Sequence, residues 1–339
     1  HPKSLDFRDS SGQSEALMKS RAFPTFCLAG AVLLCAAQAL CQTGATAAVE
    51  AAPAPARISV GDAAILGVVE GVTEYLPVSS TGHLILVARW MGLGGQGSER
   101  GQMGRKIEKN PALDAFEIVI QLGAILAVLG LYRRRVGHMF MGLAGRDTNG
   151  LRLVGLLITA FLPAAVVGLL CEKSLKEYLF NPAAVALALF VGGVVMIVVE
   201  RFARKRNQAV RNIDDMSWRH ALIIGLAQCI AMWPGTSRSM ITIVAGLLVG
   251  MDILAAAEFS FLLALPTLGA ATLYEGLKNW KILMACTGPE GLVVGLVVSG
   301  IVAAVAVKGF VKWLTGHGLL PFAVYRILLA VVIVLLLGR

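Results

Sequence analysis

Two short stretches hold residues whose types and spacing could do chemistry. In GVVEGVTEYLPVSSTGHLIL, Gly67 to Leu86, Glu70 and Glu74 stand four residues apart, followed by Pro77 and then by Ser79, Ser80, Thr81 and His83. In WPGTSRSMITI, Trp233 to Ile243, Arg238 sits between Ser237 and Ser239 behind a Pro-Gly pair. Carboxylates at i and i+4 share one helix face and repel unless a proton or a cation lies between them. Two carboxylates completed by phosphate oxygens are a common Mg²⁺ arrangement, and Ca²⁺ suits the same donors. A Ser-Ser-Thr-Gly run that opens a helix points free N–H groups and the positive dipole end at an anion. His83, within one turn of Ser80, is placed to exchange a proton with it, with Glu74 the other candidate base. The planar fork of Arg238 matches phosphate bidentately. Each feature has a plainer reading: a protonated structural glutamate, simple N-capping by Ser79, an arginine paired with Glu70 or Glu74. Three hydroxyls in a row exceed the needs of a cap, and an Arg–Glu pair can itself receive a phosphate.

These groups lie in a very apolar chain. Of 339 residues 57% are hydrophobic and 15% charged, against about 25% charged in soluble domains, and the mean hydropathy is +0.74. Apolar runs near span length recur at Glu117–Tyr132, Leu151–Leu170, Pro182–Val199, Ala256–Tyr274, Gly291–Val307 and Leu319–Leu337. A span needs roughly 20 apolar residues. The fold class expected is an all-α polytopic membrane protein. Pro77 should break its helix, and Ser79 is a good N-cap for a second arm running to about Trp90. Each arm is about a dozen residues, or about 18–22 Å, too short for a hydrocarbon core of about 30 Å. A re-entrant hairpin with a polar tip fits better than a continuous span. The segment Gly225–Gly250 repeats the plan: a shift of 158 residues superposes Gly67 on Gly225, Glu70 on Gln228 and Ser79 on Ser237. Three apolar runs follow each broken segment, so an inverted repeat is expected, with halves at about 58–199 and 219–338 and the site at mid-membrane.

The net charge of +9 does not imply nucleic acid, because the basic residues fall in short loops, as topology signals do. Arg133–Arg135, Arg146, Arg152, Arg201, Arg204–Arg206, Arg211, Arg219, Lys308 and Lys312 would be cytoplasmic, and the acid-balanced Glu172–Glu177 stretch external. The loop Met91–Asp114 dissents mildly from that assignment. The six cysteines show no metal or disulfide spacing. Residues 1–57 read as an extension: Met18 as a start, Phe23–Ala36 as the apolar part of a signal peptide with Ala37-Gln38-Ala39 as its cleavage site, or else as an uncleaved extra span, then an Ala/Pro-rich linker. The membrane domain is placed at 58–339. Glu258 is buried by its sequence context, with no task assigned.

From the residues alone the ligand is a phosphorylated, lipidic one. A lipid phosphatase and a transporter or flippase compete, with an intramembrane serine protease a distant third. The two motifs, together with FEIVIQLGAILAV (Phe116–Val128) and EFSFLLALP (Glu258–Pro266), resemble those of the undecaprenyl-diphosphatase, or bacitracin-resistance, family over about residues 58–338. That resemblance implies hydrolysis of undecaprenyl diphosphate to the monophosphate carrier lipid of peptidoglycan synthesis, a bacterial inner-membrane location and a site open to the periplasm. It carries the family's essential roles onto Glu70, Glu74, Ser80, His83 and Arg238. Ser79, Thr81, Ser237 and Ser239 are then phosphate-binding, and Glu70 and Glu74 hold a divalent cation, Mg²⁺ or Ca²⁺. The expected partners are the polyprenyl diphosphate and the bilayer. A homodimer is compatible with the sequence, which does not decide the oligomeric state. Departures from the family pattern are Met240 where glycine is common and a long Gly92–Pro111 loop.

Overall fold

The computed structural model describes residues 57–93, 111–179, 181–205, 210 and 212–337. The expected signal peptide and linker, and nearly all of the Gly92–Pro111 loop, lie outside the described residues. Eleven α-helices are described: α1 (Val60–Thr73), α2 (Ser80–Trp90), α3 (Pro111–Leu131), α4 (Arg133–Leu143), α5 (Thr148–Leu179), α6 (Pro182–Arg204), α7 (Trp218–Gln228), α8 (Arg238–Leu248), α9 (Ile253–Lys278), α10 (Trp280–Gly316) and α11 (Leu320–Leu337). Among the described residues there is no strand, only one isolated bridge between Val210 and Met251. Five helices, α3, α5, α6, α9 and α10, are long and apolar enough to cross a membrane. At 18 residues, α11 reaches about 27 Å. The chain is a polytopic membrane protein.

Helix boundaries follow from local chemistry. Ser59 and Asp62 form a reciprocal capping box on α1, and Asn181 caps α6 ahead of Pro182. The apolar run expected to end at Leu170 continues as helix to Leu179, because no breaker occurs before Asn181-Pro182. Within α10, Gly288 leaves helical geometry (φ 67°) just before Pro289, so the spanning part begins there. Glu258 finds its partner in Arg135, whose Nε donates to it at 3.0 Å while Nη1 reaches Asp214. Arg152 donates to the carbonyls of Asp214 and Met216, and the Leu319 amide donates to Glu200 at 2.9 Å. These bonds tie α4, the start of α5 and α9 to the segment before α7, and separately tie the turn before α11 to α6.

The two broken segments share a geometry. Among the described residues the only non-glycine residues with positive φ are Ser79 (74°) and Ser237 (72°). Each caps its short helix, Ser79 Oγ accepting from the Gly82 amide and Ser237 Oγ from the Met240 amide. Helix pairing exchanges between the halves as well: α1 packs on α10, and its counterpart α7 packs on α5, while α3 pairs with α9 and α6 with α11. Gly67 and Gly71 permit the first of these approaches. A Cβ on Gly71 would lie 2.6 Å from the Ser299 carbonyl oxygen and 2.9 Å from the Ala303 amide nitrogen. The end of α1 thus abuts the middle of α10, and Gly225 of α7 similarly meets Ala160 in the middle of α5. Both breaks therefore fall near the middle of a long helix from elsewhere in the chain.

Gly71→Ala forces two helix backbones apart and should cost about 1–3 kcal/mol of overpacking. Gly130→Ala, where a Cβ meets nothing within 4 Å, should leave stability unchanged or slightly raised by helix propensity. Thermal unfolding in detergent checks the contrast. Equal midpoints for the two variants would contradict the close approach.

Candidate active site

The site is built where the two breaks meet. Glu74 follows the last residue of α1, Ser80 is the first residue of α2, and Arg238 the first residue of α8. The Glu74 carboxylate joins the other two: Ser80 Oγ donates to Oε2 at 2.7 Å, and Arg238 Nη2 donates to Oε1 at 3.2 Å. The Glu74–Arg238 pair is enclosed, with side chains 6% and 8% exposed. Ser80 and Arg238 occupy equivalent positions of the repeat, so one half presents a hydroxyl where the other presents a guanidinium.

Supporting groups fix the arginine. Its Nη1 donates to the Ser260 carbonyl at 2.8 Å, and the guanidinium lies 5.6 Å from the centre of the Tyr75 ring. Ser260 Oγ in turn bonds Thr242 Oγ1 at 2.7 Å, and Thr242 bonds the Arg238 carbonyl. Ser239 donates to the Leu76 carbonyl at 2.9 Å and contacts Ser237 Oγ at 3.0 Å. Ser239 therefore ties one break to the other. Ser79 is engaged as the cap of α2, and Thr81 is half-buried in its first turn. Tyr75, Thr242 and Ser260 were not singled out from the sequence. The available signal was polarity without exposure: a serine and a threonine in otherwise apolar helices.

His83 departs from expectation. Its Nδ1 lies 2.7 Å from the Ser79 carbonyl oxygen and its Nε2 2.6 Å from the Tyr325 hydroxyl. A carbonyl only accepts, so Nδ1 carries the hydrogen, and neither ring nitrogen is engaged with Ser80. The expected Ser80–His83 relay is replaced by Ser80–Glu74. The helical geometry of α2 delivers the ring to the carbonyl four residues back, while the turn between the arms delivers Ser80 to Glu74.

Glu70 is fully buried, and both of its carboxyl oxygens lack a hydrogen-bond partner. Its counterpart Gln228 is also buried. Among the described residues no group of three or more His, Cys, Asp or Glu side chains forms a metal cage. A carboxylate with two orphaned oxygens beside a second carboxylate nevertheless suits an ion that takes its remaining ligands from phosphate and water. Glu70 and Glu74 fit that description. The site thus combines a hydroxyl hydrogen-bonded to a base, an enclosed guanidinium and buried carboxylate capacity for a cation, the donor set of a phosphoryl-transfer centre.

The chain compares closely with known proteins. An undecaprenyl-diphosphatase of Sorangium cellulosum (strain So ce56) is 49% identical over 274 residues, covering 80% of this chain and 84% of that protein. One of Pseudomonas putida (strain W619) is 46% identical over 265 residues, 78% of this chain and 89% of that one. Undecaprenyl-diphosphatase 2 of Rhodospirillum rubrum is 47% identical over 272 residues, 80% and 92% of the two chains. The family described as bacitracin resistance protein BacA matches residues 63–332, which include both breaks and every residue of the site, and the chain belongs to that family.

Proposed function

We propose that this protein hydrolyses undecaprenyl diphosphate to undecaprenyl phosphate and inorganic phosphate, recycling a carrier lipid of cell-wall synthesis and so conferring bacitracin resistance. The observation that carries the reading is the Glu74 carboxylate, bonded on one side to the Ser80 hydroxyl and on the other to Arg238. A transporter needs an anion site but has no use for a hydroxyl paired with a base.

In the proposed reaction Ser80 Oγ attacks the terminal phosphorus while its proton passes to Glu74 Oε2. The bond from that phosphorus to the bridging oxygen breaks, and undecaprenyl phosphate leaves as an anion that needs no proton. Water then displaces Oγ from phosphorus, Glu74 returns its proton to Oγ, and both protons of the water stay on the inorganic phosphate, which leaves as dihydrogen phosphate. Arg238, freed from Glu74 as that group protonates, turns its fork to the phosphoryl oxygens, where positioning and charge neutralisation dominate catalysis. The hydroxyl of Ser237 and the open amides at the start of α2 and α8 add neutral donors. Glu70 and Glu74 would hold Mg²⁺ or Ca²⁺ against the diphosphate, and a cation bound there supplies further neutralisation of phosphate charge.

We also propose an inner-membrane location, with the halves inverted relative to one another and the site open to the periplasm. Support comes from the shared conformation of the two breaks and from the bonds that bring Arg135 of α4 and Arg152 of α5 to the segment before α7, since basic residues favour the cytoplasmic side.

Purified protein in detergent should release phosphate from a long polyprenyl diphosphate, and excess chelator should abolish release. Full activity in chelator would remove the cation, and no release with any divalent ion would favour transport over hydrolysis. Ser80→Ala should lose nearly all turnover while still binding substrate, and a substrate chiral at the terminal phosphorus should react with net retention. Net inversion would sink the covalent route and leave direct attack by water. Single-cysteine labelling at Arg134 should come only from the cytoplasm and at Lys281 only from the periplasm; the reverse would overturn the sidedness.

A further inference from the structure

The groups assigned to the reaction come from α1, α2 and α8, and none comes from the last helix. Yet α11 carries Tyr325 beside Arg326, the only fully buried arginine among the described residues. Arg326 Nη1 donates to the Pro77 carbonyl at 3.2 Å, and Nη2 donates to the carbonyls of Ala188 at 3.2 Å and Gly235 at 3.0 Å. Pro77 lies in the first break, Gly235 in the second, and Ala188 in α6. Gly192 makes the room: a Cβ there would lie 2.4 Å from Nη2. Next to it, the Tyr325 hydroxyl donates to His83 Nε2, the lone pair left once Nδ1–H is committed to the Ser79 carbonyl. The two rings are nearly parallel, 7° apart with centroids 5.6 Å apart, and the Nδ1–H bond holds the imidazole against the carbonyl of the left-handed Ser79.

We propose that Tyr325 and Arg326 are positioning residues of the hydrolytic site. Arg326 ties the backbone of one break to that of the other and so sets the separation between Ser80 and Arg238. Tyr325, acting through His83, holds the strained Ser79 turn from which Ser80 projects. Only arginine suits the first task, because three carbonyls in different directions need a rigid fork of donors, and a lysine ammonium offers a point charge on a flexible stem. The hydroxyl suits the second because it donates to Nε2 without carrying charge into the membrane. Both tasks concern where reacting groups stand, and a misplacement of about 1 Å can cost on the order of 100-fold in rate.

The inference rests on the hydrolytic reading, and one experiment separates the two. Phosphate release from a polyprenyl diphosphate is measured for wild type, Arg326→Lys, Gly192→Ala, Tyr325→Phe, Arg238→Lys and the double variant Arg326→Lys/Arg238→Lys, alongside helical content and melting midpoint in detergent. Arg326→Lys and Gly192→Ala should each lower kcat by about 30-fold with KM within about threefold, and Tyr325→Phe should lower kcat by about fivefold. The double variant should be no worse than Arg238→Lys by more than about twofold, because both changes spoil one geometry. Losses that multiply in the double variant, or a drop confined to the melting midpoint, would reduce Arg326 to an ordinary fold contact. If Arg326→Lys does not fold, Gly192→Ala, which keeps the arginine and displaces it, decides the point, and Tyr325→Phe removes only a hydroxyl from a half-exposed side chain. Wild-type protein without activity sinks both readings; active wild type with unaffected variants sinks this one alone.

Discussion

A helix can end inside hydrocarbon only if something other than water takes up the backbone groups that its ending frees. Two short helices of this chain end at breaks among long apolar helices, and the rest of the architecture answers the need they create. Ser79 and Ser237 turn the chain and cap the following arms, Ser239 reaches the Leu76 carbonyl, and Arg326 reaches Pro77 and Gly235. The breaks are thus satisfied mainly by each other and by α11. Neither satisfies its own freed backbone groups alone, and the site between them exists because they must share donors and acceptors.

Charge follows the same logic. A carboxylate and a guanidinium enclosed together are costly to desolvate, and such a pair is weak evidence for stability. The Glu74–Arg238 pair makes better sense as a poised state. The arginine's second contact, to the Ser260 carbonyl, anchors one arm of its fork while the other is engaged with Glu74. Glu70, buried with both oxygens unmatched, is a cost that a bound cation would offset. Functional sites are where such local inconsistencies are expected.

The repeat explains how one site can have two chemistries. Equivalent turns place Ser80 and Arg238 at equivalent positions, one a hydroxyl beside a base and the other a cation. The remaining asymmetry is carried by few residues: Glu74 has Met232 as its counterpart, and Glu70 has Gln228. Duplicated backbone geometry with unequal side chains turns a symmetric scaffold into a directional active site.

The membrane class, the two breaks, the repeat offset and the set Glu70, Glu74, Ser80 and Arg238 were legible in the sequence, because each rests on local chemistry: apolar length, proline in a helix, a capping serine, polar residues where lipid forbids them. Which of the candidate partners each residue takes was not legible. His83 is three residues from Ser80 along the chain, yet it bonds Ser79 and Tyr325, and the base within reach of Ser80 is Glu74. Glu258 had no task until Arg135, far earlier in the chain, reached it. Arg326 reads in sequence as one arginine near the end of an apolar run, indistinguishable from an interfacial anchor. Spacing decides which side chains share a face of one helix, but distance between helices is decided by packing, here by the close contact of Gly71 with α10 and of Gly225 with α5. That packing brings two mid-length chain ends together, and only then does a glutamate of one half acquire an arginine of the other.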